Sequence, residues 1–151
     1  MIDTTPSETA DIMTRQERSA LMGRVGAKDT KPELIVRRLL HREGYRYRLH
    51  ARHLAGRPDI IFPGRRAVIF VHGCFWHRHL GCRRASNPKA RASFWQAKFA
   101  ANIARDAAVL ECLTKAGWRT LVIWECETRQ IDSLKARLFA FLGPSGGTRP
   151  R

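Results

Sequence analysis

The sequence has no long apolar run and no recognisable leader, and both absences restrict its class. No stretch approaches the ~18 consecutive apolar residues that span a bilayer, so we expect no membrane segment. The segment from Met1 to Glu8 lacks the basic and apolar regions of a secretory signal, which favours a cytoplasmic protein. In that compartment the 4 cysteines stay reduced, and a cluster of them indicates a metal site rather than disulfides.

Acidic residues are also scarce: 13 Asp and Glu stand against 28 Lys and Arg, a net charge of +15. Because neutralising phosphates supplies most non-specific DNA affinity, this excess favours a nucleic acid as partner. On charge alone, a merely basic soluble protein or a membrane-surface binder is the alternative.

The length of 151 residues and the 44% hydrophobic content predict one globular domain. We place this domain at 13–142, between flexible tails at 1–12 and 143–151. Helices are predicted near 31–43, 93–115 and 131–142, and strands at 45–49, 60–62, 67–71 and 118–124. The first helix has capping-box spacing from Thr30 to Glu33, and Gly44 ends it. This order predicts a mixed sheet flanked by helices.

Two elements have predicted burial patterns. The unbroken apolar run at 67–71 is typical of a central strand that is buried on both faces. The predicted buried face of the helix at 93–115 consists of Phe94, Ala97, Lys98, Ala101, Ala104, Ala108 and Cys112. Cys112 has no His or Cys close to it in sequence, so we interpret it as a core thiol.

The segment from His72 to Cys82 contains three histidines, two cysteines and two aromatic residues, directly after the buried strand. Cys74, His79 and Cys82 have the close spacing of metal ligands. Cys126 adds a fourth if the strand at 118–124 lies beside the strand at 67–71, and such a closed set indicates a structural zinc. The alternative is a group of small core thiols and surface histidines.

Other polar residues are candidates for catalysis. Asp59 follows a turn at the mouth of a two-strand unit, where a carboxylate can hold a divalent cation against a phosphate, although an ordinary turn Asp is the alternative. His72 and His77 flank the metal-ligand segment and suit acid–base chemistry. Glu33, Asn102 and Asp106 would each, taken alone, be interpreted as solvated helix positions.

Large aromatic residues beside charged ones are a further signal. Phe75 and Trp76 are adjacent inside the His/Cys segment, and Trp95 lies among polar and basic residues. Proteins that open a DNA base step insert apolar wedges into the stack, so we interpret Phe75 and Trp76 as a wedge. We assign Trp118 and Trp124 to the core.

The ordered motifs resemble the very short patch repair endonucleases over about residues 13–142. The residues that carry the resemblance are Met22-x-Arg24, Lys28 to Glu33, Gly56-Arg-Pro-Asp59, Val68 to His77, Phe94-Trp95, Asn102, Arg105-Asp106, Gly117-Trp118 and Trp124-Glu-Cys126. The resemblance implies a restriction-endonuclease-like α/β domain with a structural zinc. It also implies Mg2+-dependent nicking of one strand 5′ to the thymine of a T·G mismatch, which repairs deaminated 5-methylcytosine.

The resemblance also implies partners and roles. The partners are mismatched double-stranded DNA near the nucleoid, a cytosine-5 DNA methyltransferase and mismatch-repair proteins as functional companions, and no membrane; an asymmetric lesion suits a monomer. The implied catalytic residues are Asp59, His77, His72, Glu33, Asp106 and Asn102, with Asp59 and the main-chain carbonyl of Val71 as Mg2+ ligands. The implied zinc ligands are Cys74, His79, Cys82 and Cys126, and the DNA-intercalating residues are Phe75, Trp76 and Trp95.

Two departures from the family pattern bear on these roles. Val71 stands where an oxygen-bearing side chain is expected, so only its carbonyl is available to a metal. Leu80 and Gly81 lengthen the gap before Cys82, which leaves His77 or His79 as the histidine ligand of zinc. The alternatives in function are a related nuclease of broader specificity and a non-catalytic zinc module that binds DNA.

Overall fold

A computed structural model of the protein describes residues 29–145, which form three layers: a sheet with helices on both faces. The helices are α1 (Lys31–Arg42), α2 (Ala92–Lys115) and α3 (Ile131–Leu142). The strands are β1 (Arg48–Leu49), β2 (Ile60–Phe62), β3 (Ala67–His72) and β4 (Arg119–Trp124). Short 3-10 turns at Pro63–Arg65 and Glu125–Arg129 follow β2 and β4. The predicted order of helices and strands is confirmed.

The four strands lie in the order β1-β2-β3-β4, and the sheet is mixed as predicted. β1 pairs with β2, and β2 with β3, in antiparallel orientation. β3 and β4 are parallel, with His72 opposite Trp124. Parallel strands have their carboxyl ends at the same edge, so the segments that follow β3 and β4 emerge together. Because β4 lies beside β3, Cys126 is placed where it can serve as the fourth metal ligand of the predicted set.

The core has two parts because strand side chains alternate between the two faces of the sheet. On one face, Ile60, Phe62 and Ile69 pack with α1 and α3. On the other face, Ile61, Val68 and Phe70 pack with Leu113 of α2. β3 is therefore buried on both faces, as predicted, with its first four residues at most 6% exposed.

The predicted signals at the ends of α1 are confirmed, except that the Glu33 carboxylate accepts the Asp29 amide and not the Thr30 amide of a full capping box. The Thr30 side chain accepts a hydrogen bond from the Glu33 amide at 3.4 Å, and Pro32 lies in the first turn. At the other end, Gly44 has φ +90, a conformation that favours glycine, and its N–H donates to the His41 carbonyl. The predicted strand at 45–49 is mostly wrong, since only Arg48–Leu49 pair with β2.

The predicted buried face of α2 is also wrong. Six of its seven members, Ala97, Lys98, Ala101, Ala104, Ala108 and Cys112, are exposed, and Phe94 is 44% exposed. The helix instead buries Phe99, Asn102 and Leu113. Cys112 is therefore an exposed thiol and not a core residue. Alanine is small enough to lie on either face, so the alanine repeat carried little information about burial.

The predicted tails are only partly described. Residues 1–12 and 146–151 lie outside the described residues, as do the motif residues Met22, Arg24 and Lys28. The start of the predicted C-terminal tail contacts the domain, because Tyr45 Oη donates to the Gly143 carbonyl and Arg65 donates to the Pro144 carbonyl. Within residues 29–145, no helix is both long and apolar enough to cross a membrane.

Candidate active site and metal centre

A group of four possible metal ligands forms where β3 and β4 end. Cys74 follows β3 by two residues, and Cys126 lies in the turn after β4. The loop after β3 turns back, so that His79 and Cys82 join them. One ligand atom from each of the four residues lies within 4.8 Å of the other three. The parallel pairing of β3 and β4 thus unites residues that are more than 40 positions apart in sequence.

The distances in this group suit a tetrahedral cation. His79 Nδ1 lies 3.6 Å from Cys74 Sγ and 3.4 Å from Cys126 Sγ. Bonds of about 2.3 Å to sulfur and about 2.0 Å to nitrogen at tetrahedral angles place such atoms about 3.6 Å apart. The Cys126 amide donates to Cys74 Sγ at 3.4 Å. Burial raises the pKa of the Cys74 thiol to about 12, so a bound cation is needed to hold it as a thiolate.

The structure separates the two histidines that the sequence left open. His79 faces the thiols, and its ring stacks on Trp124 with the ring centroids 4.3 Å apart. His77 turns the other way, and its Nδ1 lies 2.7 Å from Asp106 Oδ2 on α2. Geometry therefore favours His79 as the fourth member of the metal-ligand group.

His77 belongs to a second group, with His72 and Asp106. The imidazole rings of His72 and His77 are stacked, with centroids 3.8 Å apart and planes inclined by 9°. Burial, together with the neighbouring His77, lowers the pKa of His72 to about 4. His72 is consequently neutral near pH 7. The carboxylate of Asp106 fixes the orientation of the His77 ring.

Asp59 adjoins this group through the backbone of β3. Its Oδ2 accepts a hydrogen bond of 2.7 Å from the amide of Val71, the residue that precedes His72. The preceding loop is fixed against α2 at Gly56, where an added Cβ would lie only 2.4 Å from Val109 Cγ1. Burial raises the pKa of Asp59 to about 6, although the Val71 hydrogen bond opposes this shift. A cation beside Asp59 would restore its charged form.

Glu33 forms a third polar group, and it is 1% exposed rather than solvated. Its carboxylate accepts hydrogen bonds from the Asp29 amide at 2.9 Å and from Arg37 Nη1 at 3.1 Å. His50 Nε2 lies 2.8 Å from the same carboxylate. Because Glu33 also raises the pKa of Asp59, the two carboxyl groups act in one electrostatic environment.

His50 is a residue of this site that the sequence motifs did not indicate. The His50 amide donates to the Asp59 carbonyl at 3.0 Å, so this residue contacts both carboxyl-bearing positions. Its φ of +49 is uncommon for a residue other than glycine. No motif spacing identifies His50, because the contact arises from the antiparallel pairing of β1 and β2.

Asn102 supports the aromatic residues rather than the histidines. Its Nδ2 donates to the Trp76 carbonyl at 3.0 Å, and it is 9% exposed instead of solvated. An aromatic cluster consists of Phe75, Trp76, Trp95 and Phe99, with edge-to-face, tilted and stacked contacts and ring centroids 5.1–5.8 Å apart. The three predicted intercalating residues are thus together, and each is half-buried. Trp118 and Trp124, predicted as core residues, are also half-buried.

Arg78 is a second residue that sequence analysis missed. Its guanidinium lies 3.8 Å from the ring centroid of Phe99. The same group donates to the carbonyls of Phe75, Ala85 and Ser86 and to Asn87 Oδ1, at 2.8–3.2 Å. Arg78 therefore joins the aromatic cluster to the loop that precedes α2. No motif spacing identifies Arg78, because most of its partners lie in the loop at 85–87 and on α2.

The chain is similar in sequence to proteins that are named as DNA endonucleases. A family model described as "DNA mismatch endonuclease Vsr" matches residues 10–84. "Type II nicking enzyme V.XorIIP" of Xanthomonas oryzae pv. oryzae is 50% identical over 135 residues, covering 89% of this chain and 98% of that protein. "Type II nicking enzyme V.NmeAIP" of Neisseria meningitidis is 38% identical, covering 85% and 91%. "DNA mismatch endonuclease Vsr" of Escherichia coli K12 is 38% identical over 125 residues, covering 83% and 80%.

Proposed function

This chain belongs to the Vsr family of DNA mismatch endonucleases and is a DNA endonuclease, and from this premise we propose that it nicks one strand 5′ to the thymine of a T·G mismatch by Mg2+-dependent hydrolysis. The observation that carries the proposal is the convergence of Asp59 with His72, His77 and Asp106 at one end of β2 and β3. An aromatic cluster adjoins these residues, which suits a lesion that must be opened before it is cut.

Two kinds of metal are part of the proposal, since the family implies a divalent metal and the donor sets differ. Asp59 and the main-chain carbonyl of Val71 would hold Mg2+, a hard cation that prefers oxygen. When bound, Mg2+ would supply positive charge to the scissile phosphate and the leaving oxygen. Cys74, His79, Cys82 and Cys126 would hold a structural zinc, because a closed sulfur-rich set offers no open position.

In the proposed reaction, water attacks phosphorus in line with the departing 3′ oxygen. The new bond joins the water oxygen to phosphorus, the bond to the 3′ oxygen breaks, and the products carry a 3′ hydroxyl and a 5′ phosphate. His77 takes the proton of the attacking water on Nε2, because its Nδ1 is held by Asp106. His72 remains neutral beside it, and Glu33 and His50 hold the loop that carries Asp59.

The names of the relatives bear on substrate choice. Two of the relatives described above are named nicking enzymes, and the third is named a mismatch endonuclease. The proposed substrate is therefore defined both by a mismatch and by the sequence around it. We propose a monomer with a restriction-endonuclease-like domain that accompanies a cytosine-5 DNA methyltransferase and mismatch-repair proteins. That methyltransferase would create the 5-methylcytosine whose deamination gives the T·G pair.

The direct test is a nicking assay on end-labelled duplexes that are identical except for one T·G or T·A pair, with Mg2+ or EDTA. We expect one Mg2+-dependent cut beside the thymine of the T·G pair and no cut in the T·A duplex. Cutting of both duplexes would support a nuclease of broader specificity. Specific binding without cutting of either duplex would support a non-catalytic zinc module.

The aromatic cluster gives a separate prediction. Phe75→Ala combined with Trp76→Ala should reduce the preference for T·G over T·A duplex by about 10- to 100-fold, because each stacked base is worth about 1–3 kcal/mol. The measurement is the ratio of the two dissociation constants in EDTA. Phe139→Ala is the control, since Phe139 is 56% exposed on α3 and lies outside the cluster. Equal losses of affinity on both duplexes would contradict the proposal that Phe75 and Trp76 act as a wedge at the mismatch.

A further inference from the structure

A groove with a volume of about 520 Å³ runs along β1, beside the site described above. We call it the basic groove, and its polar and aromatic lining consists of Arg48, His50, Arg52, His53, Arg66 and Trp118. Small and apolar residues such as Ala51 and Ile61 form its floor. No acidic residue is among the residues that line it.

Three basic residues of the groove have no side-chain partner among residues 29–145. Arg48, Arg52 and His53 are exposed, and within residues 29–145 their side chains form no hydrogen bond or ion pair. Arg66 donates to the Ala116 carbonyl at 2.9 Å and lies 4.4 Å from the ring centroid of Trp118. The unpaired guanidinium groups of Arg48 and Arg52, in one groove with an aromatic ring, suit the sugar–phosphate backbone of DNA.

The basic groove is continuous with the candidate active site through one residue. His50 lines the groove, while its ring contacts Glu33 at 2.8 Å and its amide donates to the Asp59 carbonyl at 3.0 Å. DNA bound at Asp59 therefore lies at one end of the groove.

The course of helix α2 gives the order of the aromatic cluster, the candidate active site and the basic groove. Trp95 of the aromatic cluster is near the amino end of α2, and Asp106 is eleven residues further on, about 16 Å along the helix. Leu113, near the carboxyl end, packs in the same core cluster as Ala51, Ile61 and Trp118. The candidate active site thus lies between the aromatic cluster and the basic groove.

We infer that the basic groove binds the DNA backbone on the 5′ side of the nicked phosphodiester. The inference rests on the proposed function, in which the mismatched thymine lies immediately 3′ of the nick and at the aromatic cluster. The groove is at the opposite side of the active site, so the DNA that reaches it is the 5′ flank. Arg48 and Arg52 contact phosphates of this flank, and Trp118 with Arg66 closes its far end.

The test compares wild type with Arg48→Gln combined with Arg52→Gln, by fluorescence anisotropy with labelled duplexes in EDTA. We expect the slope of log affinity against log salt to become shallower by about 1.8, at about 0.9 per lost phosphate contact. The loss should be equal on T·G and T·A duplexes, because backbone contacts carry no sequence information. Arg38→Gln combined with Arg42→Gln is the charge-matched control, since both residues are exposed on α1 and do not line the groove.

Duplex truncation tests the direction. Removing the 5′ flank of the T·G duplex should weaken wild type about tenfold and leave the double variant nearly unchanged, whereas removing the 3′ flank should weaken both proteins by the same factor. An unchanged salt slope, or a slope equal to that of the Arg38→Gln, Arg42→Gln control, overturns the proposal that the groove binds DNA. If removal of the 3′ flank weakens wild type more than the double variant, the assigned direction is wrong. The salt slope on matched DNA needs neither cutting nor mismatch recognition, so failure of the proposed function is seen separately in the nicking assay.

Discussion

Asp59→Asn is expected to reduce nicking of the T·G duplex by about a thousandfold or more while leaving DNA binding in EDTA within about twofold of wild type. The reduction corresponds to about 4 kcal/mol of transition-state stabilisation, the scale of losing the residue that holds a catalytic cation. Asparagine retains an oxygen that can accept the Val71 amide hydrogen bond, so the local backbone is preserved. The variant separates the loss of charge from the loss of structure.

The fold of Asp59→Asn should be at least as stable as that of wild type in EDTA. Burial raises the pKa of Asp59 to about 6, so at higher pH its carboxylate is less favourable in the folded chain than in the unfolded chain. Asparagine removes that penalty, and the melting temperature should not fall. Asp132→Asn is the matched control, because Asp132 is exposed in the first turn of α3. This variant should nick the T·G duplex at the wild-type rate. Wild-type nicking by Asp59→Asn would remove Asp59 from the mechanism.

Cys126→Ser is expected to abolish tight zinc binding and to lower the melting temperature by about 10 °C or more. The reason is that Cys126 and Cys74 hold the ends of β3 and β4 together, so the metal would stabilise the same pairing that builds the sheet edge. Metal content per chain and thermal unfolding, measured on the same samples, test both parts. Chelation of wild type should give the same loss of stability.

The chain supplies its own control in Cys112, an exposed thiol of α2 that lies outside the metal-ligand group. Cys112→Ser should leave zinc content unchanged and move the melting temperature by less than about 2 °C. If Cys126→Ser and Cys112→Ser behave alike, the four-residue group is not a structural metal site. His77→Ala should also retain zinc, which separates His77 from His79.

The helix prediction that failed shows a limit of periodicity. In α2 the alanines at 97, 101, 104 and 108 suggested a buried face, yet this face is exposed. The inner face instead contains Asn102 beside Phe99, and Asp106 is half-buried next to His77. A polar residue on an inner face breaks the hydrophobic pattern because the site requires it there. Functional residues therefore concealed the true face of this helix.

The sequence by itself determined the order of the elements, the burial of β3 and the limits of α1, because capping residues, glycine and apolar runs act through local backbone geometry. The spacing of Cys74, His79 and Cys82 also indicated a metal site. Only the tertiary structure decided which histidine faces the thiols, since parallel pairing of β3 and β4 brings Cys126 to His79 and leaves His77 to Asp106. It likewise brought His50 to Glu33 through the β1–β2 pairing, because contacts between distant segments depend on sheet register, which no local signal specifies.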